Sequence, residues 1–247
     1  MMQTCSVIIP TFNEEATILR LLERVARTRP EETTLEVIVV DDCSTDRTEQ
    51  LLRERPELYH RYIRLERNQG KGGAVIAGLR AASGDIILFQ DADLEYDPAD
   101  YPRLLAPFRA FGADVVLGSR LSAPPCTRVF YFWHKVGNRC ITLLFNLLNN
   151  TTFTDIYSCY LAFRRPLIDP DELRSRGWEQ QAEILSLLAR RAERLYEVPI
   201  SYHGRSYEEG KKIKPHHVFG VVGAIIRYRM TAAGRRRNNH ADRSTHR

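Results

Sequence analysis

Hydrophobic and polar residues follow two rhythms along the first half of the chain. Short β-branched runs indicate buried strands, and the longer segments between them carry apolar residues three or four positions apart, as amphipathic helices do. This pattern predicts five strands, at residues 6–10, 35–40, 62–65, 85–89 and 114–118. It also predicts four helices, one ending near Arg27 and the others at 46–53, 70–82 and 100–111. Strands that alternate with helices at this spacing indicate a mostly parallel sheet.

The second half of the chain is less regular. Helices are predicted at 131–148 and 178–192, strands at 159–163 and 195–200, and an amphipathic helix at about 217–230. The last residues have no periodicity, so we expect 234–247 to be a disordered basic tail. Because the sheet needs the later strands to complete it, we predict an α/β fold. A single domain over residues 1–233 would contain a mostly parallel sheet flanked by helices and end in the amphipathic helix.

The composition is that of a globular chain. Of the 247 residues, 43% are hydrophobic and 27% are charged, which excludes collagen, a coiled coil and general disorder. The five cysteines form no CxxC pair, so we expect reduced thiols in a cytoplasmic protein rather than disulfides or a zinc site. The start lacks the basic region of a signal peptide, and the longest apolar runs fall short of the roughly 20 residues of a spanning helix. We therefore expect a soluble or peripheral protein.

Charge is distributed unevenly beneath the formal net charge of +5. Residues 205–247 carry 11 basic and 3 acidic side chains, whereas residues 1–204 carry 25 basic and 28 acidic ones. The basic end indicates contact with phosphate groups, a membrane surface or a nucleic acid. Nucleic-acid binding is kept as an alternative of another class, although the basic surplus is terminal and the sequence contains no nucleic-acid recognition motif.

Acidic residues come directly after the fourth predicted strand. In open α/β sheets, ligands bind at the carboxyl ends of the strands. Asp91 and Asp93 lie two positions apart at such an end and can converge on one hard cation, Mg²⁺ or Mn²⁺. Glu95 could add a third oxygen ligand. The alternative is a solvated acidic turn.

Two further clusters follow other predicted strands. After the second strand, one of Asp41 and Asp42 could bind a ribose or a base edge while the other caps the helix that starts near Thr45. Ser44 or Thr45 is the other N-cap candidate that the sequence offers for that helix. The Gly-rich turn around Lys71 opens a helix, and its backbone N–H groups could bind phosphate. A plain tight turn is equally compatible with the sequence, because the turn matches neither the dinucleotide-binding motif nor the P-loop motif.

Basic residues complete the predicted site. Arg120 ends the fifth strand, and Arg205 and Lys211 lie in a later loop rich in Gly and Lys. Cations that face a metal-bound diphosphate would stabilise the charge that develops on a leaving group. A solvated basic loop is the alternative for the two later residues.

Taken in order, these motifs resemble the family 2 glycosyltransferases with the GT-A fold, and most of all the dolichyl- or polyprenyl-phosphate mannosyltransferase branch. The matching segments are VIIPTFNE at 7–14, VVDDCS at 39–44, NQGKG at 68–72, QDADLE at 90–95, GSR at 118–120, TD at 154–155, Glu183, EVPISYHGR at 197–205 and GK at 210–211. The resemblance covers about residues 5–230, and the ordered set is far more specific than any one motif.

The resemblance implies a nucleotide-sugar donor of the GDP-mannose or UDP-glucose type. The residues that it places around the donor are Pro10, Thr11, Phe12, Glu14, Asp41, Asp42, Lys71, Asp91 and Ala92. The residues that it places at the metal are Asp91, Asp93 and Glu95. The residues that it implies for catalysis are Asp93, Arg120, Arg205 and Lys211, of which the three cations would hold the donor diphosphate and the acceptor phosphate.

These implications combine into one functional hypothesis. The protein would be a metal-dependent inverting enzyme that moves a hexose, mannose or glucose, to a polyprenyl or dolichyl phosphate at the cytoplasmic face of the membrane. Its amphipathic helix and basic end would hold it peripherally at that inner face, with a membrane-protein subunit as a candidate partner. Transfer to a soluble glycan, peptide or metabolite is the alternative among enzymes. No nucleic-acid partner is expected.

Overall fold

A computed structural model describes residues 3–122, 132–177, 179–204, 222–223 and 225–227. The strands, numbered in chain order, are β1 Gln3–Thr11, β2 Thr33–Asp41, β3 Arg61–Arg64, β4 Ile86–Phe89, β5 Val115–Ser119, β6 Leu161–Arg164 and β7 Leu195–Pro199. The α-helices are α1 Ile18–Arg27, α2 Thr48–Glu54, α3 Lys71–Ala81, α4 Tyr101–Ala110, α5 Phe132–Asn149 and α6 Gln180–Arg191. Short 3₁₀ helices lie at Pro56–Leu58, Pro98–Asp100, Arg165–Leu167 and Pro170–Glu172.

The strands form one mostly parallel sheet in the order β3-β2-β1-β4-β6-β5-β7. Strand β6 runs antiparallel to its neighbours β4 and β5, whereas the other pairings are parallel. Strands β1, β2, β4 and β5 therefore share one direction and end at one edge of the sheet, which we call the carboxyl edge. The residues that end these strands there are Thr11, Asp41, Phe89 and Ser119. Because β6 is reversed, its amino end lies at the same edge, and the predicted mostly parallel α/β fold is confirmed.

Helices cover both faces of the sheet because successive strand residues point to opposite sides. Along β1, Ile8 packs into the core cluster beneath α3, α5 and α6. Its neighbours Val7 and Ile9 pack into the other cluster, beneath α1 and α4. The sheet is thus buried from both sides, which explains why its strands read as continuous apolar runs.

Helix α2 begins later than its predicted cap. Its N-cap residue is Arg47, without a side-chain cap hydrogen bond, and neither Asp41 nor Asp42 caps it. Ser44 Oγ instead accepts a hydrogen bond from Asn13 N at 3.0 Å. The prediction that Ser44 or Thr45 caps this helix is therefore wrong, because both residues bind the loop that follows β1.

Several predictions fall partly or wholly outside the described residues. The amphipathic helix predicted at 217–230 is described at 222–223 and 225–227, which are helical, and Ile225 is buried. Arg205, Lys211 and the predicted tail at 234–247 lie outside the described residues. Among the helices that the structure describes, none has the length and apolar character needed to cross a membrane.

Candidate active site

The loops that follow β1 and β2 are tied together at the carboxyl edge. Asn13 N donates to Ser44 Oγ at 3.0 Å, and Thr45 N donates to Asn13 Oδ1 at 2.8 Å. Asp42 N donates to the Thr11 carbonyl at 2.8 Å. Asn13 has a positive φ of 53°, a conformation that asparagine tolerates better than most residues. These bonds hold the two predicted donor-binding loops against each other.

The predicted donor residues of the first loop have different surroundings. Phe12 is 37% exposed and offers an aromatic surface at the carboxyl edge, and Pro10 is half-buried. Glu14 is buried, and its Oε2 accepts a hydrogen bond from the Thr17 hydroxyl at 2.9 Å. The Glu14 backbone N–H donates to Thr48 Oγ1 at 2.9 Å. The loop thus combines an aromatic side chain facing outward with a carboxylate held inside the fold.

Asp41 and Asp42 are both buried and have separate partners. The Asp41 carboxylate accepts three hydrogen bonds of 2.8 to 3.0 Å, from Ser44 N, Tyr62 Oη and Arg64 Nη1. Asp42 Oδ1 accepts from Gln69 N at 2.7 Å. Burial raises the pKa of Asp42, and the negative charge of Asp41 adds to that shift, although hydrogen bonds from the Gln69 turn oppose it. Asp41 therefore stabilises the loop, and Asp42 connects it to the turn before α3.

Lys71 brings a cation to the first carboxylate of the Asp91-Ala92-Asp93 motif. The Lys71 ammonium lies 2.6 Å from Asp91 Oδ1 and 3.3 Å from Cys159 Sγ. Burial opposes the charged form of Lys71, but the charge and hydrogen bond of Asp91, with a contribution from Cys159, together outweigh it, so the pKa of Lys71 lies well above its ordinary value. Burial raises the pKa of Cys159 to about 12, so this group is a neutral thiol at pH 7. The end of β4 therefore stabilises positive charge.

The other two acidic residues of the predicted metal site lie further along the same loop. Asp93 Oδ1 accepts a hydrogen bond from Glu95 N at 3.1 Å, and Glu95 Oε2 accepts one from Tyr202 Oη at 2.7 Å. Within the described ranges, no three His, Cys, Asp or Glu side chains form a cluster that could hold a metal ion. The structure thus does not gather Asp91, Asp93 and Glu95 into a three-carboxylate site, and their metal roles stay predictions.

A buried glutamine fixes the chain as it leaves β4. Gln90 Oε1 accepts hydrogen bonds from Tyr101 Oη at 2.8 Å and Tyr160 Oη at 2.7 Å, and its Nε2 donates to the Asp91 carbonyl at 2.9 Å. Ala92 is buried and packs in the core cluster on that side. Sequence reasoning assigned Gln90 no role. The feature of the sequence that could have indicated a role for Gln90 is its position, an amide between an apolar strand and two carboxylates.

Arg120 lies at the end of β5 in a buried ion pair with Asp155. Its Nε and Nη2 donate to the two Asp155 oxygens at 2.6 and 2.8 Å, and Asn138 Nδ2 donates to Asp155 Oδ1 at 2.8 Å. Burial would raise the pKa of Asp155, but Arg120 outweighs it and holds that pKa below its ordinary value. The guanidinium also lies 4.9 Å from the centre of the Tyr202 ring, within the range of a cation–π contact. Asp155 and Tyr202 thereby fix the orientation of the Arg120 guanidinium, a role that the sequence did not indicate for either residue.

The Gly-rich turn before α3 packs tightly against the segment 174–176. Gly72 N donates to the Arg176 carbonyl at 2.8 Å, and a Cβ at Gly70 would lie 2.5 Å from that oxygen. The buried Glu183 carboxylate of α6 in turn accepts hydrogen bonds from Arg174 N at 3.0 Å and Ser175 N at 2.8 Å. The structure therefore forms a tight turn here, and the Gly72 N–H of this turn is already bound by the Arg176 carbonyl. Glu183 supports the segment 174–176, which in turn positions Lys71.

We expect Glu183→Gln to destabilise this support. The glutamine side chain would have only one acceptor oxygen, so its NH₂ group would face one of the two backbone N–H groups, of Arg174 or Ser175, that the carboxylate now accepts from. That buried N–H would lose its partner, which costs about 1–3 kcal/mol in the free energy of unfolding. Urea denaturation measures that loss, and faster hydrogen exchange of the Gly72 amide would report the loosened turn. The control is Glu193→Gln at an exposed position, and equal exchange in both variants would contradict this role for Glu183.

Comparison with known proteins places this site in a family. The family model described as Glycosyl transferase family 2 matches residues 6–170, which is more than half of the chain. The chain belongs to glycosyl transferase family 2. The matched region runs from β1 through β6 and contains the loops with Asp42, Lys71, Asp91, Asp93 and Arg120. The resemblance inferred from the motifs is thus confirmed at the level of the family.

Several curated relatives have names that include a polyprenyl phosphate. The undecaprenyl-phosphate mannosyltransferase of Micrococcus luteus is 33% identical over 234 residues, which is 89% of both chains. The undecaprenyl-phosphate 4-deoxy-4-formamido-L-arabinose transferase of Proteus mirabilis is 32% identical over 83% of this chain, and the dolichol-phosphate mannosyltransferase of Pyrococcus furiosus is 30% identical over 90%. The matches span 62% of the length of these last two relatives.

Solved structures support the GT-A fold. Glucosyl-3-phosphoglycerate synthase from Mycobacterium tuberculosis, in complex with Mn²⁺, UDP and phosphoglyceric acid, superposes with a TM-score of 0.69 at 22% identity, over 92% of this chain and 78% of that one. Staphylococcus aureus TarS in complex with UDP-GlcNAc gives a TM-score of 0.60 at 20% identity, over 91% and 66% of the two chains. At such identities, the likeness is evidence for the fold and not for the substrate.

Proposed function

We propose that this family 2 glycosyltransferase moves a hexose, mannose or glucose, from a nucleotide-sugar to a polyprenyl phosphate at the cytoplasmic face of a membrane. The observation that carries the proposal is the convergence of Asp42, the Lys71–Asp91 pair and Arg120 at one edge of the sheet. Carboxylates and cations together suit a diphosphate with its counter-cation. The polyprenyl acceptor is supported by the Micrococcus luteus relative, whose name includes that lipid and which this chain matches over 89% of its length.

The end of β4 offers two carboxylates to a divalent metal. Asp91 and Asp93 supply carboxylate oxygens, the ligands that Mg²⁺ and Mn²⁺ prefer. The ammonium of Lys71, 2.6 Å from Asp91 Oδ1, occupies a place where positive charge is stabilised. A bound metal would neutralise charge on the departing nucleoside diphosphate. Asp91 and Asp93 would hold it, with Glu95 as the predicted third ligand.

The transfer itself requires little acid–base chemistry from the protein. The bond from the anomeric carbon to the donor diphosphate breaks while an oxygen of the acceptor phosphate bonds to the opposite face of that carbon, which inverts it. The nucleoside diphosphate departs with the electron pair. Because a phosphate monoester is already an anion at pH 7, no proton needs to be removed from the nucleophile. Arg120 and the predicted cations Arg205 and Lys211 would orient the two phosphate groups and stabilise their charge.

A donor panel tests this function. The full chain is incubated with polyprenyl phosphate in detergent, Mg²⁺ or Mn²⁺, and labelled GDP-mannose, GDP-glucose, UDP-glucose or UDP-mannose. We expect label in the lipid extract with one nucleotide-sugar, loss of the signal with EDTA, and recovery when metal is added in excess. Label in a soluble glycan, peptide or metabolite and none in the lipid would contradict the acceptor and favour the alternative enzyme.

The membrane location and the partner are part of the same proposal. The basic end of the chain, with 11 basic and 3 acidic side chains in residues 205–247, suits an anionic leaflet. A membrane-protein subunit would be a further partner. Activity of the purified chain on lipid acceptor without any other protein would contradict a requirement for that subunit.

A further inference from the structure

Helix α5 has apolar side chains on two sides. Ile141 and Phe145 are buried in the core cluster that α5 shares with α3 and α6. On the other side, the exposed fractions of Phe132, Leu143 and Leu147 are 67%, 61% and 73%. Large apolar side chains exposed side by side mark a surface that binds something.

The exposed residues form one continuous stripe. Positions 132, 136, 140, 143 and 147 recur every three or four residues, so they lie along one side of the helix. Between the three residues with large exposed side chains, Val136 is half-buried and Cys140 is exposed. We call Phe132, Val136, Cys140, Leu143 and Leu147 the α5 stripe.

The aspartate, glutamate, lysine and arginine count of α5 is entirely basic, with Lys135 and Arg139 as its charged residues. Lys135 and Arg139 are exposed, and Arg139 lies one turn before Leu143. Residues 132–149 contain no aspartate or glutamate. An apolar stripe accompanied by Lys and Arg, without acids, is the pattern of a helix that lies in the interface of an anionic membrane.

A second copy of the chain would be a poorer occupant. A two-fold interface brings the same patch of both copies together. Pairing through the α5 stripe would therefore bring two copies of Lys135 and Arg139 into one interface, and α5 offers no acidic side chain to neutralise them. The charge thus favours lipid headgroups over self-association.

The inner side of α5 is hydrogen-bonded to the candidate active site. Asn138, on the inner side of α5, donates to Asp155 Oδ1 at 2.8 Å, and Asp155 holds Arg120. Four positions after Asn138, Thr142 Oγ1 accepts a hydrogen bond from Ile156 N at 3.5 Å. A surface that binds the outer side of α5 would therefore lie next to the Asp155–Arg120 pair at the carboxyl edge.

We propose that the α5 stripe docks on an anionic lipid bilayer, with its apolar side chains at the acyl boundary and Lys135 and Arg139 among the headgroups. The purpose of this docking rests on the proposed function, because it would bring Arg120 at the carboxyl edge to a phosphate acceptor embedded in lipid. Lipid binding itself does not depend on which sugar or acceptor the enzyme uses.

Vesicle flotation tests the docking surface in the full chain. The probes are vesicles of phosphatidylcholine with phosphatidylglycerol and vesicles of phosphatidylcholine alone. We expect Leu143→Gln/Leu147→Gln to weaken binding to the anionic vesicles about tenfold or more, since two large apolar side chains leave the interface. Lys135→Gln/Arg139→Gln should weaken binding at low salt and have less effect at high salt. The matched control is Phe111→Gln, which removes an exposed aromatic residue that contacts Tyr196 on the face of the sheet away from α5.

Two further measurements keep the outcomes separate. The two α5 variants should retain the thermal midpoint of the parent chain, and every variant should retain its transfer rate to a water-soluble short-chain prenyl phosphate. Unchanged vesicle binding by the leucine variant would overturn the proposal, and so would a parent dimer that this variant converts to monomers. If the donor panel gave no labelled lipid while the leucine variant lost vesicle binding, the docking surface would stand and the proposed acceptor would fail.

Discussion

Replacing Asp93 with asparagine is expected to lower the rate of sugar transfer about 10³-fold. The asparagine keeps the shape of the side chain and an oxygen that can accept the hydrogen bond from Glu95 N, which is 3.1 Å long in the parent. It removes the negative charge that the proposed Mg²⁺ or Mn²⁺ would need, and metal stabilisation of the leaving diphosphate is a large part of such a reaction. Initial rates with saturating donor and a titration of metal measure the loss.

The control for this variant is Asp171→Asn. Asp171 is an exposed acid that pairs with Arg80, so its replacement should leave transfer within a factor of about two, because exposed ion pairs contribute little. A parallel titration with the nucleoside diphosphate should show that Asp93→Asn weakens metal-dependent binding more than metal-free binding. Full transfer activity in Asp93→Asn would remove Asp93 from the metal site and from catalysis.

Replacing Asp155 with asparagine is expected to cost about 3–5 kcal/mol in the free energy of unfolding. The reason is the partner that it leaves behind, because Arg120 would remain in a buried site without the carboxylate that accepts from its Nε and Nη2. Transfer should fall as well, since Asp155 sets the orientation of the guanidinium. Urea denaturation at pH 7 measures the stability, and the donor assay measures the activity.

A double variant separates the two effects. Arg120→Met/Asp155→Leu removes both charges and should recover most of the stability while transfer stays low. If the double variant regained activity, Arg120 would have no role in transfer.

The stability that Asp155 contributes depends on pH. The pKa of Asp155 is lower in the folded than in the unfolded chain. Its contribution to the free energy of unfolding is therefore present above the unfolded pKa of about 3.9 and is lost as the pH falls through the folded pKa. The stability difference between the parent and Asp155→Asn should therefore shrink in acid.

The alternation of strands and helices was predictable because it is a local property of the chain. Strand β2 was expected at 35–40 and spans Thr33–Asp41, and α3 was expected to open at the Gly-rich turn and begins at Lys71. The positions of Asp91 and Asp93 after a buried strand were predictable for the same reason. The cap of α2 was not, because Ser44 and Thr45 bind Asn13, 31 and 32 residues away along the chain.

Local sequence was enough to predict the fold class, the family resemblance and the candidate residues at the strand ends, because the periodicity of burial and the short motifs lie in neighbouring positions. Which of these residues contact each other depends on how the strands are ordered in space. The reversed strand β6 inserts between β4 and β5 and brings Asp155 to Arg120, 35 residues earlier, and Cys159 to Lys71, 88 residues earlier. Such pairs depend on strand order and direction, which no local pattern encodes. The exposure of the outer side of α5 was equally unpredictable, because α5 has apolar residues on two sides and the sequence does not show which of them packs against the core.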